Sequence, residues 1–436
     1  MTEPIHVVGA GLAGTEIALQ LAAHEIPVVL TDIKPGKHTP AQRSDQFTEL
    51  VCSNSFRSNN PENAVGLLKE EMRRAGSFIL SFADETKVPA GDALAVDRDR
   101  FSQVANTALH RHPLIQIRHE EITALPDSTC VIATGPLTTP ALAEDLCRAM
   151  GENQFYFYDA IAPIVSSDSL NHDIVFAQSR YDKGNGNDYL NCPLDKQQYD
   201  ALVAALCAAE KVPFKDFEQP KYFEGCLPIE VMAERGPLTL AFGPMKPVGL
   251  CDPRTGQMPF AVVQLRKENI SGTAYNLVGF QTKLTYPEQK RIFSMIPGLE
   301  HAEFLRLGAV HRNTFVNAPK VLHDGTQLKT KPNVFLAGQI VGVEGYLESA
   351  AHGFYVAKKL IAWRRQRLFA PPPRTTALGA LVSHVTGTQA SSVKEYGPEN
   401  VHWGMVDPLP GRVKKTQKKA LLVERARTDF SEWLKR

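Results

Sequence analysis

The segment Gly9-Ala10-Gly11-Leu12-Ala13-Gly14 spaces three glycines as a dinucleotide-binding turn requires. Gly9 allows the tight turn, Gly11 lets backbone approach a pyrophosphate, and Gly14 lets a helix pack on a strand. A pyrophosphate held there lies at a helix N-terminus, where unpaired N–H groups and the helix dipole favour an anion. The spacing alone is a weak signal, but its context is specific. It follows the strand-like run Ile5-His6-Val7-Val8, precedes a helical stretch through Ala18 to Leu21, and leads to Asp32 after Val28-Val29-Leu30. A carboxylate at that point can accept from ribose hydroxyls. The other evident nucleophiles are seven cysteines, at 52, 130, 147, 192, 207, 226 and 251, with no C-x-x-C pair among them. That pattern argues against a zinc site or a disulfide framework, so no metal is expected. Buried free thiols mostly behave as small apolar groups, and most of the seven are expected to be chemically silent.

These groups need a scaffold. A chain of 436 residues exceeds what one compact core usually holds, which implies two lobes or one large α/β domain with an insertion. Hydrophobic residues at 43% and charged residues at 22% are ordinary for a globular protein. No apolar run approaches the roughly 20 residues that span a bilayer, and the N-terminus lacks the features of a secretory signal. A cytoplasmic protein with no membrane partner is therefore expected. Charge is uneven along the chain: 20 Lys+Arg against 33 Asp+Glu over residues 1–243, 12 against 6 over 244–331, and 14 against 6 over 361–436. A basic second half is the footprint of a face that meets a polyanion, although solvated basic faces give the same count.

The order of elements is α/β, opening on a Rossmann-like βαβ unit. Two further strand signals end in glycines. Cys130-Val131-Ile132-Ala133 leads to Thr134-Gly135-Pro136, and Val334-Phe335-Leu336-Ala337 leads to Gly338-Gln339. Both look like buried parallel strands that return the chain to one pocket, which makes Thr134, Gly135, Gly338 and Gln339 candidate cofactor contacts. Between them, alternating segments such as Val262 to Leu265 and Tyr275 to Val278 read as a mixed, mostly β insertion. The expected division is a discontinuous FAD-binding domain, residues 1–180 and 311–436, around an insertion domain at 181–310. Pro371-Pro372-Pro373 breaks the helix that carries Trp363 to Leu368, and a basic helical tail occupies 371–436. Asn63 to Met72 has helical spacing, with Leu67, Leu68 and Met72 on one side and Lys69, Glu70 and Glu71 on the other.

One fingerprint at the N-terminus, with two later strands returning to it, favours a resident FAD over a nicotinamide bound in its own lobe. Gly184-Asn185-Gly186-Asn187 has neither the strand nor the helix of a second such lobe. The run from Gly338 to Gly345 leads into a helix whose start can face the flavin ring.

Longer strings carry a family resemblance: Leu50-Val51-Cys52-Ser53-Asn54-Ser55-Phe56-Arg57-Ser58, Asn63 to Gly76, Val88 to Phe101, Tyr156 to Val165, Tyr189 to Pro193, Phe223 to Gly236 and Gly338 to Gly353. With the glycine turn, they resemble the folate- and FAD-dependent tRNA (uracil-5-)-methyltransferases, the TrmFO family, from the first strand to about residue 380. The resemblance implies that the methylene of 5,10-methylenetetrahydrofolate passes to C5 of a uracil and that reduced FAD supplies the electrons that complete a methyl group. NADPH or NADH would recharge the flavin. It implies tRNA as partner, with the T-loop uridine at tRNA position 54 as the usual acceptor. Cys226, in Glu224-Gly225-Cys226-Leu227-Pro228, matches the family cysteine assigned as nucleophile; C5 of uracil becomes nucleophilic only after a group adds to C6. Cys52 matches a second family cysteine near the flavin, with an implied role as base at C5 or gate on the flavin. Which of the two attacks C6 stays open.

Other residues are candidates for lesser roles. Glu230 and Glu234 could orient substrate beside Cys226, although helical carboxylates four apart are usually solvated or paired. Arg98 and His311 fall in family-like strings where either could meet folate or RNA phosphate. Lys246, Arg254, Arg266, Lys267 and Lys283, with Arg412, Lys414, Lys415, Lys418 and Lys419 in the tail, are candidates for a phosphate track. A target base in a folded loop would also have to be unstacked and turned into the pocket. Asp32 stands where the family pattern leads one to expect glutamate, and 374–411 resembles the family less closely, which bears on the acceptor more than on the chemistry. Alternative readings are the same chemistry on ribosomal RNA, the class that aminomethylates wobble uridine, for which the chain looks short, and a non-catalytic FAD-containing RNA-binding protein.

Overall fold

The structure is a computed structural model that describes residues 3–152, 155–213, 227–388, 396–411 and 413–436. The strand Ile5–Val8 runs into the helix Leu12–Ala23 and returns as the strand Val28–Asp32, parallel to the first with Ile5 opposite Val28. These strands belong to a seven-stranded sheet whose order is Leu322–His323, Gln327–Leu328, Val334–Leu336, Cys130–Ile132, Ile5–Val8, Val28–Asp32, Ile115–His119. The strands from Val334–Leu336 to Ile115–His119 are mutually parallel, and the two short ones at the edge are antiparallel. Cys130–Ile132 and Val334–Leu336 are buried throughout, as apolar strands covered on both faces must be. Because parallel strands end on one side, Thr134 and Gly338 emerge beside the glycine turn, where open α/β sheets collect ligands.

A second hydrophobic core, including Val165, Leu202, Val263, Leu277 and Phe293, lies under a six-stranded antiparallel sheet. That sheet takes in Ile164–Ser166 and Phe176–Ala177, ahead of residue 181, as well as Tyr189–Leu194, Ala261–Lys267, Ala274–Leu277 and Phe304–Arg306. The strands Phe155–Ile161 and Ala309–Phe315 pair as an antiparallel ribbon. We propose that the chain folds as two units, each around one core, joined by this ribbon.

Two expectations change. Ala261–Lys267, read from the sequence as an alternating segment, has six of its seven residues buried. The loop before Ser55 lies on it: Asn54 Nδ2 donates to the Lys267 carbonyl at 2.8 Å, and Arg266 Nε donates to Asn54 Oδ1 at 2.9 Å. In the helix Ala64–Arg74, Leu67, Leu68 and Met72 are buried, but so are Lys69 and Glu71 from the supposed solvent side. Glu71 accepts the backbone N–H groups of Ala377 and Leu378, both at 2.8 Å, and so caps the helix Ala377–Thr386 that covers it. Lys69 Nζ donates to the Ser58 carbonyl at 2.7 Å. The helix Tyr346–Arg364 ends ahead of the proline run, and the last helix, Lys415–Leu434, is tied back by Trp433 Nε1 donating to the Ala370 carbonyl at 2.9 Å.

Glu71→Ala leaves two buried donors without acceptors and is expected to cost about 2 kcal/mol or more in a thermal or denaturant melt. Burial pushes the Glu71 carboxyl up to about 8 from 4.5. A raised acid favours the folded state below the unfolded value, and that advantage is lost as pH rises through the folded one. The stability of the native chain relative to Glu71→Gln should therefore fall between pH 4.5 and 8.

Candidate functional site

The glycine turn opens on a cavity of about 1030 Å³ lined by Gly9, Gly11, Leu12, Ala13, Asp32, Thr134, Gly135, Gly338 and Gln339. The remaining fingerprint residues support it from behind. Ala10 N–H donates to Asp32 Oδ2 at 2.6 Å, and Lys34 N–H to Oδ1 at 3.0 Å, so the carboxylate is clamped at the strand end with lone pairs left for a ribose. A Cβ at Gly14 would lie 1.8 Å from the Gly9 carbonyl oxygen, whereas one at Gly11 would meet nothing within 4 Å. Gly14 is thus a packing glycine, and Gly11 leaves open the cradle that a pyrophosphate needs.

This cavity continues into a second, of about 1020 Å³, which shares Val51, Pro136, Leu137, Gln339 and Tyr346 with it and adds Cys52, Arg57, Asp159, His311, Glu344 and Asn400. A nucleotide half and a ring half joined by a pyrophosphate fit this double cavity, as FAD requires. Gly9, Gly11, Asp32, Thr134, Gly135 and Gly338 are the residues that would hold it, with Gln339 at the junction.

Cys52 is positioned through its backbone. Its N–H donates to Tyr346 Oη at 2.7 Å, and its carbonyl accepts from Arg98 Nη2 at 3.4 Å. Arg98 also donates to the Leu50 carbonyl and to Glu268 Oε2, with Nη2 at 2.7 Å. The Arg98 guanidinium is therefore occupied in holding the Cys52 loop, and the expectation that it meets folate or phosphate gives way to a positioning role. Burial, and after it the charge of Asp159, pushes the Cys52 thiol up to about 12, against Arg306 and Arg98.

Around the thiol, burial suppresses charge. Glu344 is pushed up to about 8 by burial and by Asp159; its Oε1 accepts from Gln339 Nε2 at 2.9 Å and from Gly345 N–H at 3.0 Å. Its Oε2 is buried with no hydrogen-bond partner among the described residues. His311 is pushed down to about 4 by burial and then by Arg306 and Arg43, and its Nε2 is likewise buried without a partner. Arg57, whose φ is 65°, forms an ion pair with the buried Glu348.

Sequence reasoning gave no role to Asp159, Glu344, Tyr346 or Asn400. Glu344 and Glu348 did leave a signal, one acid just ahead of the helix Tyr346–Arg364 and one in its first turn, beside an apolar stretch. Cys226 and Arg412 lie outside the described residues. Glu230 is buried, with Oε2 accepting from Thr282 Oγ1 and Oε1 from Lys283 N–H, both at 2.9 Å, so it anchors a cavity wall and does not face substrate. Glu234 is paired with Lys211. Arg266, 7% exposed, is buried against Asn54, and Arg254 is paired with Asp252 at 2.6 Å, so neither stands free as part of a phosphate track. Lys246, Lys414, Lys415, Lys418 and Lys419 are exposed.

Comparison with known proteins places this geometry in a class. The family profile described as glucose inhibited division protein A matches residues 4–364. The solved structures of Aquifex aeolicus GidA in two crystal forms share the fold, with TM-scores of 0.68 and 0.69 at 12% and 13% identity; each match covers 99% of this chain, and 74% and 77% of those chains. Relatives named methylenetetrahydrofolate--tRNA-(uracil-5-)-methyltransferase TrmFO are much nearer. One from Myxococcus xanthus is 55% identical over 99% of this chain and 94% of its own length, and one from Geobacter sulfurreducens is 55% identical over 100% and 99%. The chain belongs to the glucose inhibited division protein A family and, within it, to the TrmFO group.

The two fingerprint glycines should fail differently. Gly11→Ala is expected to keep the thermal midpoint within a few degrees and to lower the FAD-to-protein absorbance ratio by weakening the flavin about tenfold or more. Gly14→Ala should lose fold and flavin together, because its Cβ overlaps backbone.

Proposed function

We propose that this chain transfers the one-carbon unit of 5,10-methylenetetrahydrofolate to C5 of a uracil in tRNA, with FAD as resident cofactor, NADPH or NADH as reductant and the T-loop uridine at position 54 as acceptor. The observation that carries the reading is the continuity of the glycine-turn cavity with the cavity around Cys52, in a chain 55% identical to relatives bearing that activity in their name. Bound FAD supplies the electrons that turn the transferred methylene into a methyl group.

The chain's own residues prepare the substrate. Cys226, by its match to the family, adds to C6 and makes C5 a nucleophile. Cys52 then receives the C5 proton or gates the ring site. A thiol receives a proton only as thiolate, and burial with Asp159 opposes that form while Arg306 and Arg98 favour it. Asp159, Glu344 and the neutral His311 line the same cavity as the thiol. Tyr346 and Arg98 keep Cys52 in place by its backbone, so the thiol can change protonation without the loop moving.

RNA recognition rests on exposed basic residues of the tail, Lys414, Lys415, Lys418 and Lys419, which would hold phosphates in a salt-dependent way. Among the described residues no helix is long and apolar enough to cross a membrane. A cytoplasmic location, where tRNA and reduced folates meet, is part of this proposal.

Mass spectrometry of an unmodified tRNA transcript after incubation with the protein, methylenetetrahydrofolate and NADPH should show one added methyl on the T-loop uridine, absent with S-adenosylmethionine alone. Methylation of an rRNA fragment in its place would move the acceptor, and none by FAD-loaded protein would leave an RNA-binding flavoprotein. The raised Cys52 thiol gives a separate signature. Its alkylation rate should still climb at pH 10, where a thiol near 9 has begun to level off. Cys52→Ala should lower turnover about a hundredfold or more while flavin content and tRNA affinity persist.

A further inference from the structure

Arg266 and Asn276 stand opposite each other on the neighbouring strands Ala261–Lys267 and Ala274–Leu277, so their side chains leave the sheet on one face. That face meets the loop that carries Cys52, because Arg266 Nε donates to Asn54 Oδ1 at 2.9 Å. Between sheet and loop lies a cavity of about 480 Å³, with Arg266 and Asn276 in its wall. It is continuous with the larger Cys52 cavity, since Cys52, Ser53, Ser55, Arg57 and Gln281 line both.

Two buried donors in this wall are unanswered. Asn276 is 3% exposed, and its Nδ2 has no hydrogen-bond partner among the described residues. Arg266 is held by its Nε alone; among the described residues its two Nη groups have no acceptor and no carboxylate pairs with it. A buried donor without an acceptor is costly, and more so when it carries a charge. Two of them side by side next to a thiol are groups kept for a ligand.

We infer that this cavity takes the target uracil, with Asn276 pairing its N3–H and C2 carbonyl and Arg266 donating to its C4 oxygen. The inference rests on the uracil reading proposed above. An amide side chain offers one acceptor and one donor, which matches an N–H beside a carbonyl, whereas a guanidinium only donates and needs a second carbonyl. The imide edge of uracil has that order: carbonyl, N–H, carbonyl. Cytosine sets an amino group at C4 against Arg266, and a pterin sets one at C2 against Asn276 Nδ2, so either leaves donor facing donor. Arg266 also suits the chemistry. When a nucleophile adds to C6, a bond forms there, the C5–C6 π pair is displaced, and negative charge collects on the C4 oxygen. A buried guanidinium aimed at that oxygen stabilises the charge where water is excluded.

The test uses full-length, FAD-loaded protein and two tRNA transcripts, one with uridine and one with N3-methyluridine at the acceptor position, which removes the N3–H. The native chain should methylate the first with a kcat/KM about 100-fold or more above the second, because a site built on a hydrogen bond rejects a substrate that lacks it. Asn276→Ala breaks no hydrogen bond of the fold and should keep flavin content, tetrahydrofolate affinity and tRNA affinity. It should slow the uridine transcript about 10- to 100-fold, in kcat more than in KM, and shrink the preference over N3-methyluridine to about threefold or less. Asn276→Ser gives the same comparison where the alanine variant loses its flavin. A native chain indifferent to the N3-methyl group, or variants that keep the full native preference, overturns this inference alone. A native chain that binds flavin and methylates neither transcript overturns the methyltransferase reading, and this inference with it.

Discussion

The first helix touches the parallel sheet only because residue 14 has no side chain; a Cβ there would sit 1.8 Å from the carbonyl oxygen of Gly9. The same shortage of space recurs one layer out, where a Cβ at Gly353 would meet the Ala13 carbonyl oxygen at 2.7 Å and one at Gly338 would meet Ala13 Cβ at 2.8 Å. Three segments from distant parts of the chain therefore pass within a methyl group of one another. What this closeness fixes is the start of the helix Tyr346–Arg364, and with it Tyr346, whose hydroxyl receives the Cys52 N–H. The thiol is thus located by a chain of contacts that begins at a glycine designed for a nucleotide.

The two halves of the double cavity handle charge in opposite ways. At the glycine turn, backbone N–H groups and a helix end stand ready for an anion. Around Cys52, burial holds the thiol and Glu344 toward their protonated forms and His311 toward its neutral one. Uracil and a pterin are neutral rings, and a cavity that suppresses charge on its own walls admits them without competing ions. Proton transfer between such neutral groups creates charges that the low dielectric disfavours, so the cations beside the thiol, Arg306 and Arg98, are what offset that cost. On the proposed reading, the anionic ends of the ligands are left to the periphery, at the glycine turn and the lysines of the tail.

How far this was legible in the sequence depends on the range of the contacts. The opening βαβ unit and the two later strand-to-glycine turns are local patterns, and Asp32, Thr134, Gly135 and Gly338 do meet in one cavity. Cys52 entered through family strings and not through any spacing that chemistry demands. Arg98 and Glu230 looked like ligand groups because a charged residue in an idiosyncratic string suggests function; their partners, Glu268 and Thr282, lie far along the chain and no periodicity announces them. Lys69 and Glu71 looked solvated for the related reason that amphipathic spacing identifies one buried face and is blind to a later segment that covers the other. Asp159, Glu344 and Tyr346 become a group only through the fold.

The C-terminal part of the chain makes the same point for the site as a whole. Glu344 N–H donates to the Glu399 carbonyl at 2.9 Å, Glu399 N–H to the Gly342 carbonyl at 3.2 Å, and Asn400 Nδ2 to the Glu344 carbonyl at 2.6 Å. Val401 N–H reaches Glu348 Oε1 at 3.0 Å. This short stretch lies along the loop that leads into the helix Tyr346–Arg364 and puts Asn400 into the wall of the Cys52 cavity. Two of these four hydrogen bonds join backbone groups, which constrain the path of the chain without dictating side chains, and the other two use the Asn400 and Glu348 side chains. The last helix, Lys415–Leu434, comes later in the same C-terminal part of the chain. By placing Asn400 in the wall of the Cys52 cavity, the stretch 399–401 is part of the site in the physical sense, although it lies far along the chain from Cys52.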